Sequence, residues 1–311
     1  MSGLIANESM KIYNRKLTWI LLILLIAITI GTSIIGNINS TKAEDWRTET
    51  MELVGRYEER LKISELSSTL RADAENKLKI AEYRLANDVL TPPNNPWSAL
   101  LTFSGLIEMV IIFSIIIAAD MVAGEYTAGT MKLLLIRPHK RTKILFSKFI
   151  AVSLFSLVML VLLVVCGYVT NALLYGLGDI HITDLFLNQQ GQIVSQNVIM
   201  QVIKMYGLSI FPVMGYVAFA FAVSTVLRNS ALAVGISLLI MIVGNSMIEA
   251  TAKIEVLKYL PFANSDISLY IFHLPARPEM TLGFSISVLL VYMFGLTLIS
   301  WAVFKKRDVS I

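Results

Sequence analysis

The segment AADMVAGEYTAGTMKLLLIRPHKRTKILFSK, residues 118–148, determines the predicted fold of this chain. It carries six Lys or Arg residues, with His139 as a further base, and its only acids, Asp120 and Glu125, lie near its start. Long apolar runs precede and follow it. Short basic loops between membrane spans lie preferentially on the cytoplasmic side of a bilayer. The segment therefore predicts a cytoplasmic connection between two transmembrane helices.

The composition indicates a polytopic helical membrane protein. Of the 311 residues, 56% are hydrophobic and 15% are charged, whereas a soluble domain carries about 25% charged residues. Several apolar runs reach the roughly 20 residues that cross the hydrocarbon core. The net charge of +4 comes from loops beside the membrane, so it does not predict a nucleic-acid partner. Cys166 is the single cysteine, which excludes an intrachain disulfide and a cysteine-based metal site.

We predict an all-α polytopic membrane protein with six transmembrane helices and both termini in the cytoplasm, in the plasma membrane. Residues 1–16 form a cytoplasmic lead, and span one lies within 17–41, with an apolar run longer than that of a signal peptide. Spans two to six occupy the rest of the chain, 98–311, at 98–119, 144–175, 204–226, 231–249 and 281–304. Excluding residues 42–97, the inner segments carry 13 Lys or Arg and the outer loops four, which favours this orientation.

Residues 42–97 differ sharply from the rest of the chain. Twenty of the residues in 42–90 are charged, apolar residues recur at helical spacing, and no Gly or Pro occurs between Arg56 and Thr91. A single helix of this length would run about 60 Å from the membrane. We therefore predict an extracellular helical hairpin between spans one and two, turning near Ser67–Asn76. The segments 176–198 and 250–280 are predicted as outer loops.

The basic segment also carries a recognisable motif. Its elements are Asp120, Gly124-Glu125, Gly129-Thr130, Arg137-Pro138, Arg141 and Lys148. Their spacing, directly after a span, resembles the membrane subunits of ATP-binding-cassette exporters of type 2, which include multidrug, bacteriocin-immunity and polysaccharide exporters. The layout of apolar segments along the whole chain is similar to that family as well.

The resemblance implies a partner and a role. Residues 120–143 would form a coupling element that rests on a separate cytoplasmic ATP-binding subunit, which holds ATP and Mg. A second permease copy, or a related permease, would complete the pathway, and re-entrant helices often occupy the last outer loop. The residues that the resemblance assigns to ATPase coupling are Glu125, Gly129, Thr130, Arg137, Pro138 and Arg141.

The residues themselves limit what this chain does alone. The Gly124 to Gly129 stretch lacks the Lys and Ser/Thr that follow the second Gly of a phosphate-binding loop, so we predict that the chain binds no nucleotide and is not itself an enzyme. Glu125 could instead be a solvated carboxylate on a helix face. The cations from Arg137 to Lys148 could face anionic lipid headgroups.

Three polar residues lie in or beside predicted spans: Glu108, Asp120 and Asn245. Glu108, which we place near mid-depth in span two, would line a pathway or a helix interface, because intramembrane charges are costly and seldom face lipid. A protonated Glu108 that donates a hydrogen bond to a neighbouring helix is the alternative. The three histidines are far apart in the sequence, and no metal site is predicted.

Three functional classes remain open at this point. The exporter subunit is favoured. A membrane-embedded sensor or assembly factor would use the 42–90 hairpin instead. A secondary carrier would have only Glu108 as a coupling-ion site and lacks paired helix interruptions in two halves. The sequence leaves the substrate undetermined.

Overall fold

Helices dominate the structure, a computed structural model of the whole chain. The described residues are 1–39, 46–64, 66, 68–90, 92, 94–129, 140–188, 191–246, 254–271, 277 and 279–306. Within them, five helical segments are long and apolar enough to cross a bilayer: Lys16–Ile38, Pro96–Thr127, Arg141–Tyr175, Val198–Leu227 and Leu282–Lys306. The chain is thus a helical protein built to cross a membrane several times.

The elements follow in chain order. The helices are α1 (Ser2–Tyr13), α2 (Lys16–Asn39), α3 (Trp46–Leu61), α4 (Ser68–Asn87), α5 (Pro96–Thr102), α6 (Leu106–Thr127), α7 (Arg141–Tyr175), α8 (Val198–Leu208), α9 (Ile210–Leu227), α10 (Ser230–Ser246), α11 (Ser268–Ile271) and α12 (Leu282–Lys306). Strands β1 (Thr183–Leu187) and β2 (Ile193–Asn197) lie between α7 and α8. Short 3-10 turns occupy Phe103–Gly105, Glu255–Tyr259 and Phe262–Asn264.

Helices α6 and α9 form the centre of the bundle. They pack on each other, and both contact α7 and α10, while α9 also contacts α12. A buried hydroxyl joins the pair: Ser224 donates to the carbonyl of Ala119 at 2.5 Å and accepts from the amide of Ala123 at 3.0 Å. The small side chains at these positions let the two backbones approach closely, as at many helix contacts in membranes.

Two of the spanning segments are interrupted. The 3-10 turn at Phe103–Gly105 separates α5 from α6, and Ser209 separates α8 from α9. The second break has a clear cause, because Pro212 has no N–H to donate to the carbonyl of Leu208. Both interruptions face the same cavity, which is described below.

The predicted fifth span corresponds to α10, which is shorter than the other spanning segments. Its junction with α9 is a tight turn, where Arg228 adopts a left-handed backbone with φ of 55°. Near the end of α10, Gly244 packs on Phe262: a Cβ at position 244 would lie 2.4 Å from the Cβ of Phe262. Residues 247–253 lie outside the described residues, so six spans stay a prediction.

The segment predicted as a helical hairpin contains α3 and α4, which contact each other. The predicted turn position was wrong: α3 ends at Leu61 and α4 already begins at Ser68, so the chain turns before residues 68–76. The sequence there contains Ser64, Ser67 and Ser68, and serine favours helix ends over helix interiors.

The 176–198 segment departs from the predicted all-α fold, because β1 and β2 pair there in antiparallel fashion, with Thr183 opposite Asn197. Leu185, Phe186 and Val194 are the apolar and β-branched residues that strands favour. Arg84 of α4 forms an ion pair with Asp184 of β1. This contact places the 46–87 helices and the strand pair at the same end of the bundle.

Candidate functional site

Four charged side chains meet at the end of the bundle that bears the basic segment. We call Glu8, Lys11, Glu125 and Lys148 the ion-pair cluster. The Nζ of Lys148 lies 2.7 Å from Glu8 Oε2 and 2.6 Å from Glu125 Oε1. The Nζ of Lys11 lies 2.8 Å from one carboxylate oxygen of each acid. The cluster contains two positive and two negative groups, so its charges balance.

Three helices contribute to the ion-pair cluster. Glu8 and Lys11 are one turn apart on α1, so they share a face of that helix. Glu125 lies in the last turn of α6, and Lys148 lies about two turns into α7. Residues 128–140, the central part of the basic segment, connect α6 to α7. The cluster therefore joins both helices that flank residues 128–140 to the N-terminal helix.

Three of the four side chains of the cluster are removed from water, while Lys11 is half-buried. Lys148 is 0%, Glu8 2% and Glu125 7% exposed. Burial would raise the pKa of Glu8, but Lys148 and Lys11 outweigh it and hold this pKa below its ordinary value. Burial would likewise lower the pKa of Lys11, but its hydrogen bonds to Glu125 and Glu8 outweigh it and raise this pKa. The carboxylate–ammonium arrangement thus favours the charged form of both groups.

A second contact reinforces this end of the bundle. Arg15, between α1 and α2, forms an ion pair with Asp120 of α6, and Ser230 of α10 donates to Asp120 Oδ1 at 2.8 Å. Gly124 leaves room for this position of the carboxylate, because a Cβ there would lie 2.5 Å from Asp120 Oδ1 and would displace it. The motif residues Asp120 and Gly124 therefore form a close contact on one face of α6.

The structure places the predicted coupling residues unequally. Glu125 is buried among α1, α6 and α7, and in this conformation it is not a solvated carboxylate on a helix face. Lys148 is buried too, so the headgroup-facing interpretation does not hold for this residue. Gly129 ends the α6 region with φ of 69°, and Arg141 is the first residue of α7. Thr130, Arg137 and Pro138 lie outside the described residues.

Helix α1 and its part in the cluster were not predicted. Residues 1–16 were predicted only as a cytoplasmic lead, and Glu8 had no predicted role. A signal for the helix was present: Ile5, Glu8 and Ile12 recur at helical spacing, and Lys11 follows Glu8 by three residues. The partner of Glu8 on α7 and the partner of Lys11 on α6 are more than 100 residues away and carry no local signal.

Glu108 lies at the other end of α6, about 25 Å from Glu125 at 1.5 Å per residue. It is in the first turn of α6, directly after the 3-10 break and inside the spanning segment Pro96–Thr127, and its mid-depth position stays a prediction. Here Glu108 lines a cavity of about 150 Å³, which we call the Glu108 cavity. Its other polar lining residues are Ser104, Ser209, Tyr216, Ser265, Asp266 and Ser268.

The walls of the Glu108 cavity come from distant parts of the chain. Tyr216 of α9 donates to Ser265 Oγ at 3.4 Å, and the amide of Ser268 donates to Asp266 Oδ1 at 3.1 Å. Asp120 is not part of this cavity, and Asn245 lies in the last turn of α10. The predicted site residues are thus divided between the two ends of the bundle.

Comparison with known proteins adds a family. Residues 75–310 match the family described as "Protein of unknown function (DUF2705)". The chain belongs to this family. It is 30% identical over 315 aligned residues to "Uncharacterized protein YhcI" of Bacillus subtilis (strain 168), covering 100% of both chains. It is also 30% identical over 201 residues to "Uncharacterized membrane protein YdbK" of the same organism, covering 64% of this chain and 77% of that protein. The second relative's name agrees with a membrane location.

Proposed function

We propose that this chain is the membrane-spanning permease subunit of an ATP-binding-cassette exporter, and that a separate cytoplasmic subunit binds and hydrolyses ATP with Mg. The observation that carries the proposal is the position of the ion-pair cluster. The cluster fixes the two helices that flank residues 128–140. It includes Glu125 of the motif that resembles type 2 exporters. A partner that pushes on residues 128–140 therefore acts on α6 and α7 together.

The contacts suggest how such motion reaches the rest of the chain. Lys148 and Glu125 hold α7 to α6. Glu8 holds α1 to α7 and Lys11 holds α1 to α6, so this end moves as one body. Helix α6 then packs on α9 and α10 along the bundle. A shift of its inner end would be transmitted to the two helix breaks beside the Glu108 cavity. The chain's own role is mechanical, and phosphate-bond cleavage belongs to the partner.

The proposed orientation follows the charges. The basic end, with α1, residues 128–140 and the end of α12, faces the cytoplasm. The 46–87 helices and the β1–β2 pair then lie outside the plasma membrane at the opposite end. With α10 as a further span, the chain crosses six times, and two copies or one copy with a related permease complete the exporter.

Affinity purification with mass spectrometry tests this proposal. The tagged chain is extracted from native membranes with a mild detergent, and an ATP-binding-cassette ATPase subunit is expected in near-equal amount. A chain with Lys140, Arg141 and Lys143 changed to Gln should lose this subunit. The matched control changes Arg56, Lys62 and Lys77, on the other side, to Gln and should retain it. Recovery without any ATPase would contradict the proposal and favour a sensor or assembly factor.

A further inference from the structure

The Glu108 cavity has an apolar neighbour. This second cavity, of about 160 Å³, is lined by Phe219, Ile240, Phe262, Leu289, Tyr292 and Leu296. Pro212 and Tyr216 line both cavities, so the two adjoin at the first turns of α9. We call the pair the split cavity. One half carries carboxylates and hydroxyls, and the other half is almost entirely hydrocarbon and aromatic.

The polar half has the chemistry of a cation site. Glu108 and Asp266 supply two carboxylates, and no Lys or Arg is among its described lining residues. Glu108 is exposed at the surface of the bundle where it lines the cavity, and Asp266 is half-buried. A carboxylate attracts an ammonium group by its opposite charge. Tyr216 adds an aromatic ring, whose face also attracts ammonium groups. An anionic headgroup would meet two like charges in the same space.

The apolar half has the chemistry of a site for an alkyl or aromatic tail. Its lining side chains come from α9, α10, α12 and the Phe262–Asn264 turn, so it is a cleft between elements. Ligand sites in proteins are commonly apolar clefts with a few convergent polar groups. Here the polar groups lie on one side only, so a ligand would have to be charged at one end and apolar at the other.

We propose that the split cavity binds a cationic amphiphile, with its ammonium group beside Glu108 and Asp266 and its tail among Phe219, Leu289 and Leu296. This inference deepens the proposed exporter function and rests on it, because it names the class of substrate. The helix breaks at Phe103–Gly105 and Ser209 border the polar half. A shift of α6 would therefore change the headgroup site first.

The test measures binding by the chain without its ATPase. The chain is placed in phosphatidylcholine nanodiscs and titrated with radiolabelled decyltrimethylammonium, with empty nanodiscs as the blank for partition into lipid. Saturable binding of one cation per chain is expected. Decyl sulfate, which has the same tail and the opposite charge, should bind no more than it does to empty nanodiscs. Equal binding of both probes would overturn the proposal.

Variants locate the site. Glu108→Gln should weaken binding of the cation by about 10-fold or more, the size expected for losing one charged contact. Asp266→Asn keeps the side-chain oxygen that accepts from the amide of Ser268, and it should also weaken binding of the cation. This variant replaces Glu108→Gln in the test if Glu108→Gln does not fold. Glu255→Gln is the matched control in the same outer region, and it should bind as the wild type does. Wild-type affinity in both cavity variants would overturn the proposal.

Transport separates this inference from the proposed function. Reconstitution with the ATPase should give ATP-dependent movement of decyltrimethylammonium. Saturable, Glu108-dependent binding without ATP-dependent movement would support the binding site and contradict the exporter function. ATP-dependent movement of other compounds by a chain that does not bind the cation would support the exporter function and contradict the binding site.

Discussion

Replacing Lys148 with Met should be among the most destabilising single changes in this protein. The side chain is 0% exposed and lies 2.7 Å from Glu8 and 2.6 Å from Glu125. Methionine fills a similar volume, so the loss is mainly electrostatic. Removing one partner of a buried ion pair leaves an uncompensated charge and costs about 3–5 kcal/mol. Lys11 still contacts both acids in the variant, which places the expected cost near the lower end of that range.

The assay is equilibrium unfolding in detergent micelles, followed by circular dichroism. The matched control is Lys77→Met, which removes an exposed lysine paired with Asp73 at 2.9 Å on α4 and should cost less than about 0.5 kcal/mol. The double variant Lys148→Met with Glu8→Gln should be more stable than the sum of the single effects predicts, because it removes both charges of one pair. A Lys148→Met variant as stable as Lys77→Met would refute the reasoning.

Three further predictions concern other parts of the chain. Because the pKa of Glu8 is lowered and that of Lys11 is raised, stability should fall as pH drops below the ordinary Glu value of 4.5 and as it rises above the ordinary Lys value of 10.5. Glu8→Gln should lessen the acid-side loss and Lys11→Gln the alkaline-side loss in pH-dependent melting curves, and unchanged curves would exclude this linkage. Gly244→Ala should destabilise by about 1–3 kcal/mol through overpacking, whereas Gly235→Ala on the same helix, with open space around it, should be neutral or stabilising by up to about 1 kcal/mol in thermal melts. A cysteine replacing Glu75 in a cysteine-free chain should react with an impermeant maleimide only from outside the cell, and labelling solely from inside would reverse the proposed orientation.

The spans could be predicted because each corresponds to a local pattern in the sequence. About twenty consecutive apolar residues have few folded alternatives to a membrane helix, and α2, α7 and α12 were placed within a few residues of their observed ends. The kink near Pro212 was also predictable, because the missing N–H is a property of one residue. The strand pair was missed because five-residue strands in a polar loop leave only a weak pattern.

The candidate sites were less accessible to prediction. The motif indicated Glu125 and Asp120, but whether these acids face solvent or partners depends on α1, more than 100 residues earlier in the chain. In the sequence, Lys148 cannot be distinguished from other cations beside a membrane span, because its burial depends on contact with α1. The position of Glu108 beside a cavity depends on residues 265–268, and no local pattern in the sequence indicates that they pack there.

Nucleotide-dependent labelling of the Glu108 cavity tests the central claim most directly. Ser104 lines this cavity, so Ser104→Cys in a Cys166→Ser chain reports its accessibility. The chain is reconstituted with its ATPase and labelled from the outer side, with and without ATP and vanadate. We predict that trapping the nucleotide changes the labelling rate, and that the change disappears when the ATPase is omitted. An identical rate in both states, with the ATPase bound and hydrolysing ATP, would contradict the account.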